Sequence, residues 1–466
     1  MQDLTKGSIV KHMFQFAAFM AVSMFFQTLY FLADLYWVGR LGKEAIAAVG
    51  LAGNLTFVVL ALTQMLGVGT TTLVSHAAGR KDKERVTYIF NQSFVMSIIV
   101  GILFVIVSFA LRRWFVDSIA SDALTAQLGV EFLNWFLLAM GLQFAMVAIG
   151  SALRGCGIIK PSVGIQVVTV VLNMTLSPFL IFGWVTHHPF GVAGAAMATL
   201  ISVAVGVVLL AMYVRKAGTG LDFATHHWAP KLKTWGEITK IGLPAGGEFV
   251  LMSVYLTLVY WIIRNFGASA QAGFGIGSRV MQSMFMPVIA IAFAAAPIAG
   301  QNFGARIASR VRESFYSSAM IAGTFMLLLT AICQISPEAM IRAFSKDPSV
   351  IAFGTEYLRI ISWNFLAAGL AFTTSSIFQG IGNTLPPLAS SFTRFLIFAL
   401  PAFLMSTRPG FQIKYVWYLS VFSVVVQATT NIILLHREFR RKLNFADMTT
   451  PAAVATEMST AMTGAE

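Results

Sequence analysis

The sequence predicts an all-α polytopic membrane protein. Twelve transmembrane helices form two pseudo-symmetric six-helix lobes, with both termini cytoplasmic. Three observations predict this. The chain of 466 residues is 57% hydrophobic and only 11% charged, with a mean hydropathy of +0.77. A soluble domain carries about 25% charged residues. Long runs lack Asp, Glu, Lys and Arg, and a bilayer-crossing helix needs roughly 20 mostly apolar residues. The chain also resembles itself at a shift of 225 residues.

The charge-free runs are 12–33, 45–79, 86–111, 132–153, 161–214, 280–305, 314–337, 360–393 and 415–436. The longest, 161–214, holds two helices, because "HHPFG" (187–191) supplies a turn. Two further spans, 242–263 and 386–405, tolerate Glu248 and Arg394. The expected helices lie near 13–38, 46–76, 87–111, 129–152, 161–184, 191–214, 241–263, 270–300, 313–335, 351–378, 386–405 and 414–436. The first run is too long for a signal peptide's apolar core and is expected to be retained. With the N-terminus inside, 20 of the 32 Lys and Arg fall on inner segments, 9 on outer ends and 3 within spans. That bias favours cytoplasmic termini, and basic inner loops account for much of the +13 net charge.

The repeat rests on turn and charge residues. "RGCGIIKP" (154–161) aligns with "QGIGNTLP" (379–386), and "GVEFL" (129–133) with "GTEYL" (354–358). Gly79 meets Gly304, Arg85-Val86 meets Arg310-Val311, and Gly42, Ala45, Ala47 and Gly50 meet Gly267, Ala270, Ala272 and Gly275. "LYW" (35–37) meets "VYW" (259–261) at a shift of 224, which pairs Asp34 with Leu258. Six helices per half leave the halves parallel, as in transporters that hold substrate between two lobes. The expected domains are a first lobe (1–214), a cytoplasmic connector (215–240), a second lobe (241–437) and a cytoplasmic, disordered tail (438–466). Leu232, Trp235, Ile238 and Ile241 suggest an interfacial helix at the end of the connector.

Several chemistries lack their motifs. There is no GxxxxGK[ST] and no HExxH, and "GFGIG" (273–277) lies in an expected membrane helix with no strand before it. His187-His188 and His226-His227 read as polar loop residues. Cys156 and Cys333 form no CxxC and suggest neither disulfide nor metal. No nucleophile–base pair supports an intramembrane enzyme.

Asp34 is the residue that needs explaining. Ser23, Gln27, Tyr30 and Asp34 follow at steps of four, three and four, with Trp37 continuing the face. A polar stripe on a membrane helix should face protein or water. A charged Asp near mid-membrane costs roughly 2.5–3.5 kcal/mol. Asp34 is about 7–8 Å from the outer turn, at 1.5 Å per residue, so a carboxylate reaching the interface is the alternative. On helix 7, Glu248, Met252 and Tyr255 share a face; Glu248 either faces substrate or sits at the inner helix end. Arg279 and Arg394 are expected to snorkel or pair within the protein. Glu131 and Glu356 read as structural carboxylates at outer helix starts.

"LADLYWVGRLGKEAIAAVGLAGN" (32–54), "ALRGCGIIKPS" (152–162), "LNMTLSPFLIFG" (172–183), "GVAGAAMATLIS" (191–202), "GLPAGGEF" (242–249) and "GASAQAGFGIGSRV" (267–280) together resemble the multidrug and toxic compound extrusion (MATE) transporters. The resemblance covers roughly 10–440 and is greatest to the bacterial DNA-damage-inducible branch, which keeps an acid in helix 1. It implies a secondary active antiporter of the plasma (bacterial inner) membrane, exporting amphipathic, often cationic compounds for protons or sodium ions. It implies no cofactor beyond the coupling ion, no nucleic-acid partner, and a monomer. It makes Asp34 the coupling acid, with Asn173 as partner and Ala195 and Thr199 as further contributors. Family members often read N-x-x-x-D-P on helix 5; here Ser177 stands at that acidic position. A single carboxylate attracts sodium less and tilts the expectation toward protons. Gln27, Tyr30, Trp37, Glu248, Met252 and Tyr255 are the expected substrate contacts. The alternatives are a lipid-linked precursor flippase or polysaccharide exporter of the same superfamily, and, less favoured, an intramembrane enzyme.

Overall fold

The structure, a computed structural model, describes residues 1–120, 122–184, 187–216 and 218–445. Among them there is no strand. The helices are α1 (Ile9–Gly39), α2 (Lys43–Gly79), α3 (Lys83–Ile119), α4 (Ala123–Gly155), α5 (Lys160–Phe182), α6 (Gly191–Lys216), α7 (Leu232–Ile263), α8 (Ala268–Gly304), α9 (Ala308–Ile335), α10 (Pro337–Arg342), α11 (Pro348–Ile361), α12 (Phe365–Ile381), α13 (Leu385–Ser406) and α14 (Lys414–Lys442). Counting α11 and α12 as one span and omitting α10, twelve spans among the described residues are long and apolar enough to cross a membrane. Each overlaps one expected helix.

The helices outrun the apolar runs because polar residues cap them. The Asp82 side chain accepts from Arg85 N–H at 2.9 Å and starts α3 at Lys83. Asp122 accepts from Thr125 N–H at 2.8 Å to start α4. Asp347 accepts from the Ser349 hydroxyl (2.6 Å), its N–H (2.8 Å) and Val350 N–H to start α11. Those bonds hold the exposed Asp347 carboxyl below the ordinary carboxylate range. Glu131 and Glu356 lie two turns further in, so the caps are Asp122 and Asp347 instead.

The repeat is visible in backbone detail. Gly42 and Gly267, Lys81 and Arg306, and Gly157 and Gly382 all have positive φ, each pair 225 residues apart. The turn after α2 bonds Lys81 N–H to Ala78 O and Asp82 N–H to Ala77 O; the turn after α8 bonds Arg306 to Phe303 and Ile307 to Asn302. This is one helix-ending motif used twice. A Cβ on Gly155 would lie 2.9 Å from Thr71 O, and one on Gly380 2.7 Å from Ala296 O. The same α2–α4 and α8–α12 approach therefore needs glycine at both places.

The chain forms two compact units, residues 1–3 with 19–246, and 4–18 with 247 onward. The division falls inside α1, after residue 18, and inside α7, after residue 246. In the first unit, α7 begins at Leu232 as one continuous helix, and Ile238 is fully buried. A Cβ on Gly69 would lie 2.3 Å from Ile238 O, so this part of α7 packs closely on α2, while Leu232 at its start is 79% exposed. The first unit's cores are built on Leu133, Phe144 and Ile181, and on Phe90, Ile149 and Leu210. In the second unit, Leu4 N–H donates to Gln301 Oε1 at 3.0 Å, and Asn302 Nδ2 and Arg310 Nη2 donate to Leu4 O at 3.3 Å each. The second unit's core centres on Phe274, Tyr357, Phe398 and Trp417, with Phe274 stacked on Trp417 at 5.6 Å. The glycines of "GFGIG" serve this packing, since a Cβ on Gly277 would meet the Tyr357 ring at 2.5 Å. Residues 438–442 of the expected tail are helical, with Arg440, Arg441 and Lys442 in the last turn, where cations suit the helix dipole. The tail from 446 lies outside the described residues.

Candidate functional site

In the first unit, three helices bring polar stripes together. Ser23, Tyr30 and Asp34 come from α1, Gln166, Asn173 and Ser177 from α5, and Ala195 and Thr199 from α6. The seam between α5 and α6 is tight, because a Cβ on Gly194 would lie 2.7 Å from Leu180 O. Asn173 Nδ2 then donates to Thr199 Oγ1 at 3.2 Å, and Ser177 Oγ donates to Asn173 Oδ1 at 3.5 Å. The Tyr30 and Thr199 hydroxyls bond at 3.0 Å, and Thr199 also reaches Ala195 O at 3.2 Å. Asn173, Ser177, Ala195 and Thr199 are all buried. Pro178 has no N–H to give the Met174 carbonyl four residues back, so this turn of α5 is short of one backbone donor.

Asp34 is half-buried, one turn beyond Tyr30. Its Oδ1 is buried and has no hydrogen-bond partner among the described residues. A buried carboxylate oxygen left open is costly, and each such atom asks for an explanation. Tyr30, one turn before Asp34, links this helix to Thr199, Asn173 and Ser177, and a carboxyl at that place can hold a proton or contribute to a monovalent cation's oxygen shell.

The structure redistributes the expected contacts. Tyr30, expected to meet substrate, is bonded into the Asn173–Thr199 cluster. Gln27 is exposed and makes no side-chain hydrogen bond among the described residues. Trp37 packs edge-on to Phe182 and Trp184, at 6.2 and 6.3 Å, with Arg40 5.2 Å over its ring. Sequence reasoning missed Gln166, whose Oε1 accepts from Ser23 Oγ at 2.5 Å. The signal was available: Gln166, Asn173 and Ser177 share one helical face. Ser202, one turn from Thr199, is a buried hydroxyl with no partner among the described residues.

In the second unit, Glu248 is half-buried, and the buried Ser375 hydroxyl lies 3.2 Å from each of its oxygens. Tyr255 Oη bonds Ser420 Oγ at 2.9 Å, and its ring packs 4.7 Å from Phe398. Arg394 lies 5.1 Å over that ring and donates to Gln427 Oε1 at 3.3 Å, while its Nε is buried without a partner among the described residues. Met252 is exposed and Arg279 is exposed on α8. Tyr30 and Tyr255 are 225 residues apart and each bonds a hydroxyl on the last helix of its half. The shift on this helix is therefore 225, not 224, and the counterpart of Asp34 is Val259, buried at 1% exposure.

A family model described as MatE matches the chain twice, over residues 20–179 and 244–404. The chain belongs to the MatE family. The two matched segments fall one in each half of the repeat. As a MatE protein with twelve apolar spans it is a multi-pass membrane transporter; in bacteria the membrane is the inner one. "Probable multidrug resistance protein YoeA" of Bacillus subtilis is 24% identical over 434 residues, covering 91% of this chain and 93% of that protein. "Multidrug export protein MepA" of Staphylococcus haemolyticus is 26% identical over 384 residues, covering 81% and 83%. A crystal structure of MATE in the bent conformation superposes with a TM-score of 0.88 at 24% identity, covering 94% of this chain and 97% of that one. That likeness is one of fold.

Proposed function

We propose that this MatE protein is a secondary active antiporter. It exports amphipathic, often cationic compounds in exchange for protons, or sodium ions, by alternating access. It works as a monomer with cytoplasmic termini, needs no cofactor beyond the coupling ion, and has no nucleic-acid partner. One observation carries the reading: the buried, unpartnered oxygen of Asp34 on the Tyr30–Thr199–Asn173–Ser177 stripes. An exchanger needs a group whose protonation differs between two conformations, and Asp34 is the acid of this cluster. The names of the relatives, which speak of multidrug export and resistance, support the substrate class.

Energetics restrict the cycle. Moving one charge through 100 mV is worth about 2.3 kcal/mol. Exporting a monovalent cation opposes what one entering proton supplies, so one-for-one exchange runs on the pH difference, about 1.4 kcal/mol per unit. Strong cation export then takes two protons or a large pH gradient.

A second reading, a lipid-linked precursor or polysaccharide exporter of the same superfamily, draws on Arg394. A guanidinium within a span that bonds only neutral groups would suit an anionic cargo. Efflux from proteoliposomes under imposed pH or sodium gradients tests both readings. Gradient-driven efflux of cationic dyes that is lost in Asp34→Asn supports the antiporter; unchanged coupled efflux in that variant refutes the role of Asp34. Ser177→Asp restores the second carboxylate and should raise the sodium response.

A further inference from the structure

The loop end of the second unit holds a cationic groove that the transport reading does not use. Its origin is Pro337. Proline lacks the N–H for the carbonyl four residues back and clashes with it, so α9 stops at Ile335 and α10 turns away. At the equivalent place in the first unit, Leu111-Arg112, α3 runs on unbroken to Ile119. The break opens a groove of about 690 Å³ between α10 and α11. Glu338 and Arg342 line one side, Thr355 and Arg359 the other, and Ser345 and Lys346 come from the connecting loop.

The charges in it do not balance. Arg342 pairs with Glu338 at 2.7 Å. Lys346 and Arg359 have no carboxylate within ion-pair distance among the described residues. The groove is left with an excess of two positive charges. Asp347 is committed to capping α11, and Glu356 does not line the groove. Thr355 adds an independent sign: its Oγ1 is buried and has no hydrogen-bond partner among the described residues.

Apolar surface adjoins the cations. Trp363 lies one turn beyond Arg359, following the groove face of α11, and is 63% exposed. Ile335 and Phe344 flank α10 and are 82% and 68% exposed. A cation followed by tryptophan along a span is the arrangement of a membrane–water interface. A soluble anion would use the charges alone; a phospholipid uses both.

We propose that this groove binds the phosphate headgroup of an anionic phospholipid, with its acyl chains along Trp363, Ile335 and Phe344. Lys346 and Arg359 supply the charge, and the Thr355 hydroxyl supplies a hydrogen bond to a phosphate oxygen.

The test is thermal unfolding of the full chain in neutral detergent, titrated separately with phosphatidylglycerol, phosphatidylcholine and inorganic phosphate. Phosphatidylglycerol should raise the melting temperature saturably, since a ligand of the native state stabilises it; the other two should not at the same concentrations. Lys346→Gln/Arg359→Gln should weaken the phosphatidylglycerol response about thirtyfold, on the usual contribution per cation near an anionic surface. Arg113→Gln, in the first unit, should leave it unchanged. A double variant that titrates like the native chain overturns the proposal, as does an equal response to phosphatidylcholine. An equal response to inorganic phosphate overturns the lipid assignment. Should the double variant not fold, Lys346→Glu in the exposed loop must weaken the response and Lys346→Arg must keep it.

Discussion

Tyr30 and Tyr255 hold equivalent places in the two units and do the same thing, each bonding a hydroxyl on the last helix of its half. Around them the chemistry diverges. Where the first unit has Asp34, Asn173 and Ser177, the second has Val259, Phe398 and Ala402, all fully or almost fully buried. Conversely, Ser23 corresponds to Glu248 and Thr169 to Arg394. Turns and glycine contacts stayed alike because they are set by backbone geometry, which a change of side chain cannot rescue. The lining positions were free to differ. The difference points to a division of labour: an acid among neutral oxygens in one unit, a carboxylate held by Ser375 and a guanidinium over Tyr255 in the other.

That comparison can be broken by transplanting residues. Asn173→Phe with Ser177→Ala gives the first unit the second unit's apolar pair. It should lower gradient-driven efflux at least a hundredfold in proteoliposomes, because the cluster next to Asp34 loses two of its four neutral polar groups and gains a bulky ring. Coupled efflux near native levels would refute the division. The reverse change, Phe398→Asn with Ala402→Ser, should cost about 3–5 kcal/mol of stability, by removing a buried ring and burying polar groups. It should leave the ion dependence of the remaining efflux unchanged, which thermal melts and gradient assays read separately.

The shared skeleton predicts equal effects in both units. Gly155→Ala and Gly380→Ala should each destabilise by about 1–3 kcal/mol, as overpacking does, with melting temperatures that fall together. A large fall in one and none in the other would show that the repeat does not carry equal load. The smallest effect belongs to the left-handed turns. Lys81→Gly and Arg306→Gly should each stabilise by about 1 kcal/mol or less, since a side chain at positive φ is strained.

The helices were legible because apolar runs and turn residues are local signals. So was the repeat, since Gly157 and Gly382, or Gly42 and Gly267, must be glycine-like wherever they occur. Asp34 stood out because ionisable residues are rare in membrane spans. What was not legible depends on helix crossings. Ser23 meets Gln166 across 143 residues, and Tyr255 meets Ser420 across 165. No local pattern specifies which faces meet. Glu131 and Glu356 were misplaced because helix starts were read from the apolar runs, whereas Asp122 and Asp347 extend the helices by two turns.

Leu4 has a bearing on how the chain is made. Its N–H and carbonyl are satisfied by Gln301, Asn302 and Arg310, partners 297 to 306 residues later. At about 5–20 residues per second, roughly 15–60 s of synthesis separate Leu4 from the groups that will bond it. Leu4 is thus made well before the groups that fix its place. Until α8 and α9 exist, the start of α1 has nowhere in the second unit to dock.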